Sequence, residues 1–176
     1  METPKAKRIK LLFLDVDGVL TDGRIWMGPQ GEMLKAFYVK DGLGIKMLEM
    51  AGIQVVLVTG RSFEALSIRA QELGVELYQG VDDKESLCNS IVHQKGLKVE
   101  EVCGMGDDLQ DMGIFKVSGL KVAVGDAVKE IKEAADIVTE SNGGQGAVRE
   151  LCEIILKSQG KWEEVLSKSM GKTPLH

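Results

Sequence analysis

The stretch "LLFLDVDGVLTDG", Leu11 to Gly23, runs an apolar segment straight into two carboxylates, Asp15 and Asp17, with a single valine between them. A short continuous apolar run closed by a turn signal reads as a strand buried on both faces, the kind found in the middle of a parallel sheet. Residues i and i+2 of a strand point the same way, so Asp15 and Asp17 face one spot while Val16 turns back to the core. Two like charges at one spot raise each other's proton affinity unless a positive group joins them. In an open parallel sheet ligands bind beyond the carboxyl ends of the strands, which is where this pair falls.

The rest of the chain repeats the theme. The runs "IQVVLV" (Ile53 to Val58), "VELY" (Val75 to Tyr78), "EVCGM" (Glu101 to Met105), "LKVAV" (Leu120 to Val124) and "DIVT" (Asp136 to Thr139) read as further short buried strands. Between them helical patterns span Asp41 to Ala51, Ser62 to Leu73 and Asp83 to Lys95, each opened by Asp or Ser and followed by a glycine. More helices are expected at about Asp108 to Val117, Asp126 to Ala134 and Gln145 to Gln159. Strands alternating with helices predict an α/β fold: a Rossmann-like parallel sheet with helices on both faces. One segment breaks the alternation. "GRIWMGPQGEMLKAFYV", Gly23 to Val39, has two strand-like halves around a Gly-Pro-Gln-Gly turn and reads as a small β-hairpin insertion, too short to be a cap domain. The expected organisation is one domain over 1–160 with the hairpin at about 23–39, and a C-terminal tail over 161–176 that opens as a short helix.

Composition bounds the function. At 176 residues, with 44% hydrophobic and 28% charged residues, the chain suits one soluble globular domain. A formal charge of -5 argues against a general nucleic-acid surface, which needs clustered Lys and Arg. The opening "METPKAKRIK" lacks an apolar signal core, and no apolar run approaches the ~20 residues that span a bilayer, so no membrane partner is expected. Cys88, Cys103 and Cys152 have no metal-type spacing and sit in apolar patterns, as small core residues of a reducing, cytoplasmic compartment would.

The polar residues at the strand ends carry the chemistry. Beside Asp15-Val-Asp17-Gly18 stand Thr59-Gly60-Arg61 after the second strand of the sheet, Lys84 at a helix start, and Gly106-Asp107-Asp108 with Asp111 one helical turn on. Four or five carboxylates in one pocket call for a cation, and all-oxygen ligands favour a hard ion such as magnesium. A metal and Lys84 beside a carboxylate suit a phosphoryl group and its developing charge, with Asp15 as a nucleophile that forms an aspartyl-phosphate. Other readings are weaker. A lone Asp-x-Asp-Gly is usually a turn, and Val19 and Leu20 break the calcium-loop pattern. "GMGDDL" lacks the third glycine of a dinucleotide loop, and His93 and His176 have no partners in the pattern.

The order Asp-x-Asp, Thr-Gly-Arg, Lys, Gly-Asp-Asp-x-x-Asp resembles the haloacid dehalogenase superfamily of aspartate-nucleophile phosphatases. Within it, "DVDGVLTDG", "GEMLKAF", "VKDGLGIK", "VTGRS", "LYQGVDDK", "GDDLQDM" and "GGQGAVRE" resemble the family acting on 3-deoxy-D-manno-octulosonate 8-phosphate, from about Leu11 to Gly160. The resemblance implies magnesium-dependent hydrolysis of that sugar-acid phosphate, in lipopolysaccharide biosynthesis. It makes Asp15 the nucleophile and a metal ligand, and Asp17 the proton donor to the sugar alkoxide and then the base for water, with its main-chain carbonyl on the metal. Thr59 and Lys84 would hold phosphoryl oxygens, and Asp107 would ligate magnesium with Asp108 and Asp111 in support. The family's substrate contacts fall on Asp17, Tyr38, Val39, Lys40, Asp41, Gly42, Lys46, Gly60, Arg61 and Lys84, and on Arg69 from a neighbouring subunit. Lys40 and Lys46 stand where the family is expected to carry arginine, and Tyr38 where it is expected to carry a smaller polar residue; lysine cannot reproduce a bidentate guanidinium contact.

Two alternatives use similar residues. A nonulosonate 9-phosphate phosphatase would share the scaffold with Glu expected in place of Arg61, and a phospho-acceptor signalling domain would share the acidic pocket, the Thr and the Lys. A homotetramer is expected, because the hairpin is too small to bury Ile25, Trp26, Met33 and Phe37 by itself.

Overall fold

The computed structural model of the chain describes residues 3–171, with the backbone alone at Glu32 and Met33. In chain order the elements are β1 (Leu11–Leu14), β2 (Trp26–Gly28), β3 (Gly31–Leu34), α1 (Val39–Met50), β4 (Gln54–Val58), α2 (Glu64–Leu73), β5 (Glu76–Tyr78) and α3 (Lys84–Gln94). After them come β6 (Val102–Gly106), α4 (Met112–Lys116), β7 (Leu120–Ala123), α5 (Lys129–Ala134), β8 (Ile137–Val138), α6 (Ala147–Ser158) and α7 (Trp162–Gly171). Six strands form one sheet in the order β5-β4-β1-β6-β7-β8, every neighbouring pair parallel, and β2 and β3 pair antiparallel as a separate hairpin. This is the α/β Rossmann-like architecture that the alternation predicts.

Strand β1 lies between β4 and β6, and every one of its residues is buried. Leu12 and Leu14 pack on one side with Ile45 and Leu48 of α1 and Leu151 and Ile155 of α6. Leu11 and Phe13 pack on the other with Cys88 and Ile91 of α3 and Ile114 of α4. Full burial of each such side chain is worth about 1.5–3 kcal/mol, so the carboxylates that follow are mounted on a firmly anchored segment. All three cysteines are free and buried.

Several helix ends follow their sequence signals. Helix α3 starts on Asp83, whose carboxylate accepts from the Ser86 N–H at 3.0 Å, and α2 stops on the left-handed Gly74. Others shift because a side chain is committed elsewhere. Helix α1 begins at Val39, and Asp41, in its first turn, reaches across to α6 instead of capping its own helix. Asp126 accepts from the Gly143 N–H at 2.9 Å, and α5 opens only at Lys129. The expected helix from Asp108 splits into a 3-10 turn, Leu109–Asp111, followed by α4.

The segment set apart as a tail opens with α7, whose Val165 joins the core and whose Trp162 ring lies under Arg149 and Lys157. Its last five residues, 172–176, lie outside the described residues. On the hairpin Ile25 and Trp26 are exposed as expected, together with Met27 and Leu34. Phe37 is not: it is half-buried against the main core with the Arg69 guanidinium over its ring. The side chain of Met33 lies outside the described residues. Among the described residues no helix is long and apolar enough to cross a membrane.

Candidate active site

The carboxyl ends of β1, β4 and β6, three adjacent strands, and the start of α3 open into one cavity of about 610 Å³. It is lined by Asp15, Asp17, Thr59, Gly60, Arg61, Lys84, Asp107, Asp108 and Asp111. Parallel pairing explains the meeting: Leu14 lies beside Leu57 of β4 and Met105 of β6, so the residues just beyond each strand emerge side by side.

Lys84 is the electrostatic centre. Although it is the first residue of α3, where the helix dipole disfavours a cation, it is only 6% exposed. Its ammonium donates to Asp15 Oδ1 at 2.6 Å and to Asp111 Oδ1 at 2.7 Å. Burial by itself would lower its proton affinity, but Asp15 and Asp111 outweigh that and hold it above the ordinary lysine range. Asp111 in turn accepts from the Asp107 N–H at 2.9 Å and the Asp108 N–H at 3.3 Å, which bends the chain after β6 and aims Asp107 at the cavity. The exposed Asp108 accepts from the Leu109 N–H at 2.7 Å and shapes the same turn.

One lysine does not balance this acidity. Carboxylate oxygens of Asp15, Asp107 and Asp111 lie within 4.8 Å of one another. Burial first and Asp111 second push the Asp15 carboxyl up to about 7, against the pull of Lys84. Asp107 rises to about 8, again through burial first and then Asp15 and Asp111. A largely buried oxygen-only cluster in which Asp15 and Asp107 resist ionisation is what a hard divalent cation relieves, so these residues fit such an ion.

Glycines set the approach of the loops. Gly18 takes a left-handed φ of +97°, and a side chain there would collide with the Asp107 carboxylate. Gly143 fits directly against the Gly18 carbonyl, where any Cβ would overlap that oxygen, and the Gly144 N–H donates to the Val19 carbonyl at 2.9 Å. The glycine-rich "NGGQG" segment is thus a buttress for the loop that carries Asp17.

Other expected contacts go elsewhere in the single chain. Tyr38 and Lys40 line a separate cavity with Gln145, Arg149 and Glu150. Asp41, 1% exposed, accepts from the Arg149 N–H at 2.8 Å and the Gly146 N–H at 3.4 Å, holding the start of α6. Val39 and Arg69 line a shallow groove beside the hairpin, Gly42 lies buried beneath Arg69, and Lys46 is exposed on α1. The cavity also takes in residues the sequence reading passed over: Gly23, Ile25, Val81, Asp82 and Gln110. Outside the lining, Lys35, from the hairpin's outgoing arm, forms an ion pair with Asp17 Oδ1. Nothing in its local pattern distinguishes that lysine from a solvated one.

Comparison with known proteins agrees with this geometry. The profile of haloacid dehalogenase-like hydrolases matches residues 74–151. The 3-deoxy-D-manno-octulosonate 8-phosphate phosphatase of Salmonella typhi is 44% identical over 94% of this chain and 89% of its own length. The chain belongs to the haloacid dehalogenase-like hydrolases. It is an enzyme of that family, a phosphoric monoester hydrolase. The crystal structure of the 3-deoxy-D-manno-octulosonate 8-phosphate phosphatase from Moraxella catarrhalis, in complex with magnesium, phosphate and a KDO molecule, superposes with a TM-score of 0.89. The two are 39% identical, and the match covers 93% of this chain and 95% of that one. A cobalt-bound deoxy-D-mannose-octulosonate 8-phosphate phosphatase from Haemophilus influenzae superposes with a TM-score of 0.87 at 42% identity, covering 89% of this chain and 92% of that one.

Proposed function

We propose that this enzyme hydrolyses 3-deoxy-D-manno-octulosonate 8-phosphate to the free sugar acid and phosphate, in the cytoplasm, with magnesium as its ion. The observation that carries the reading is the convergence of Asp15, Asp17, Thr59, Lys84 and Asp107 on one cavity in a chain 44% identical to phosphatases of that name.

Asp15, Asp107 and the main-chain carbonyl of Asp17 would hold the magnesium, which when bound supplies charge that neutralises the phosphoryl oxygens. Thr59 and Lys84 bind the remaining phosphoryl oxygens and orient phosphorus toward Asp15. The Asp15 carboxylate attacks phosphorus, the bond from phosphorus to the C8 oxygen breaks, and Asp17 gives that oxygen a proton. Asp17, now ionised, takes a proton from water as the water oxygen attacks the aspartyl-phosphate. The bond between phosphorus and Asp15 breaks and phosphate leaves, which restores both carboxyl groups. Asp108 and Asp111 act by positioning Asp107 and Lys84. Arg61, at the rim, meets the far end of the substrate.

The functional unit in this reading is the single domain, with α7 packed on its core, assembled as a homotetramer through the exposed hairpin face of Trp26, Met27 and Leu34. Light scattering on the active enzyme tests the assembly; a monomeric mass refutes it. The activity is tested by phosphate release over a panel of sugar-acid phosphates, with magnesium, with cobalt and with chelator. The eight-carbon substrate should lead the panel, and activity should vanish in chelator. Equal rates across the panel would refute the substrate, and full activity in chelator would refute the metal.

A further inference from the structure

The Lys35 side chain is 1% exposed although it belongs to a hairpin that is otherwise largely open to solvent. Its ammonium meets Asp17 Oδ1 and lies 5.7 Å from the centre of the Phe63 ring, which fixes the approach of the chain carrying it. The other oxygen, Asp17 Oδ2, is buried and has no hydrogen-bond partner among the described residues. Asp17 itself lines the catalytic cavity. A carboxylate held at one oxygen by a buried cation cannot turn freely, so its second oxygen is presented in a fixed direction.

We propose that Lys35 is a positioning residue: it clamps Asp17 Oδ1 so that Oδ2 is the oxygen that hands the proton to the leaving alkoxide and takes it from water. The inference rests on the reading of Asp17 as proton donor given above. It also gives the hairpin a second task. In an enzyme without a cap domain, this side chain ties the hairpin to the reaction, and its seating on the domain sets the geometry of proton transfer.

The test compares two leaving groups on the full-length magnesium enzyme. The quantity kcat/KM reports steps up to the first irreversible one, here transfer to Asp15, before water attacks. A sugar-acid 8-phosphate has an alkoxide leaving group that needs a proton, whereas 4-nitrophenyl phosphate has one that leaves without it. For Lys35→Met, kcat/KM with the sugar-acid phosphate should fall roughly tenfold to a hundredfold, the worth of a charge-assisted hydrogen bond. With 4-nitrophenyl phosphate it should stay within twofold. In an Asp17→Asn background the same substitution should cost nothing further, because Lys35 acts through Asp17. Equal losses with both substrates, no loss with either, or losses that multiply in the double variant would each overturn the proposal. Lys35→Gln, which keeps a donor facing Asp17, is held to the same split should Lys35→Met not fold, with a smaller loss. Failure of the underlying reading has its own signature: Asp17→Asn itself retaining wild-type kcat/KM with the sugar-acid phosphate, which removes the donor role and this inference with it.

Discussion

Withdrawing divalent ions should make the stability of this fold fall as pH rises from 5 to 7, the reverse of ordinary acid denaturation. In the ion-free protein Asp15 is pushed up to about 7 and Asp107 to about 8, from an ordinary 3.8. The folded state therefore binds protons that the unfolded chain has released. The stability contributed by such groups is complete below about pH 4 and is lost as pH climbs through 7 and 8. Within that window each pH unit costs about 1.4 kcal/mol per group. From pH 5 to pH 7 Asp15 alone removes about 2–3 kcal/mol. Asp107 acts in the same direction, but the two losses overlap, because a proton on one relieves repulsion on the other. For a chain of this length 1 kcal/mol moves Tm by about 2–4 °C, so the expected drop is roughly 4–12 °C.

The assay is thermal unfolding in chelator and in excess magnesium at pH 5, 6 and 7. Carboxylates whose ordinary pKa is lowered, such as Asp136 held down by Lys5 and Glu153 by Lys157 despite partial burial, stabilise in the opposite sense: their contribution fades as pH falls. They are common to wild type and Asp15→Asn, so the difference between those two curves isolates the site. Excess magnesium should flatten that difference, because the bound ion favours the ionised ligands throughout. A chelated wild type whose Tm is level or rises relative to Asp15→Asn between pH 5 and 7 would refute the reasoning, and so would equal slopes with and without the ion.

Asp15→Asn and Asp17→Asn should each nearly abolish turnover of the sugar-acid phosphate, and a tenth of wild-type activity surviving in Asp15→Asn would defeat the nucleophile assignment. Arg61→Ala should cost roughly tenfold to a hundredfold in kcat/KM with the octulosonate 8-phosphate and little with an aryl phosphate too short to reach it; equal effects on both would reduce Arg61 to a structural role. Asp41→Ala removes the acceptor for two N–H groups at the start of α6 and should lower stability by about 1–2 kcal/mol with kcat unchanged. A large loss of kcat/KM at unchanged Tm would instead make Asp41 a substrate contact.

Asp41 also shows where reading the chain alone reaches its limit. The strands were legible because burial on both faces leaves an unbroken apolar run, as in Leu11 to Leu14, and the helix ends because Asp83 and Gly74 act within a turn of their own position. The clustering of Asp15, Asp17 and Asp107 was legible because the topology brings the ends of β1, β4 and β6 together whatever the loops do. Asp41 looks like a local cap from its neighbours, but its partners stand at Gly146 and Arg149, more than a hundred residues away. Lys35 and Asp17 are 18 residues apart, on a hairpin and a loop whose approach depends on how Phe37 and Phe63 pack. Local spacing carries caps and strand pairs; it does not carry the long-range contacts that only packing decides.

The charge pattern of the cavity narrows where selectivity can arise. Its deep end is acidic and is balanced by Lys84 and, in the proposed function, by a bound cation that takes the phosphate. In that proposal the carboxylate of the sugar-acid phosphate lies at the opposite end of an eight-carbon chain and is repelled by the acidic floor. Among the described residues lining the cavity, the cations are Lys84, which sits between Asp15 and Asp111, and Arg61. In the proposed function Lys84 serves the phosphate and Arg61, at the rim, is assigned to a second negative charge, while Lys40, Lys46 and Arg69 do not line this cavity. If those three contribute to recognition, the side chains that reach this cavity must come from another copy of the enzyme. A single chain would then retain the chemistry on a simple aryl phosphate and lose most of its preference for the sugar acid, which ties the substrate assignment to the assembly.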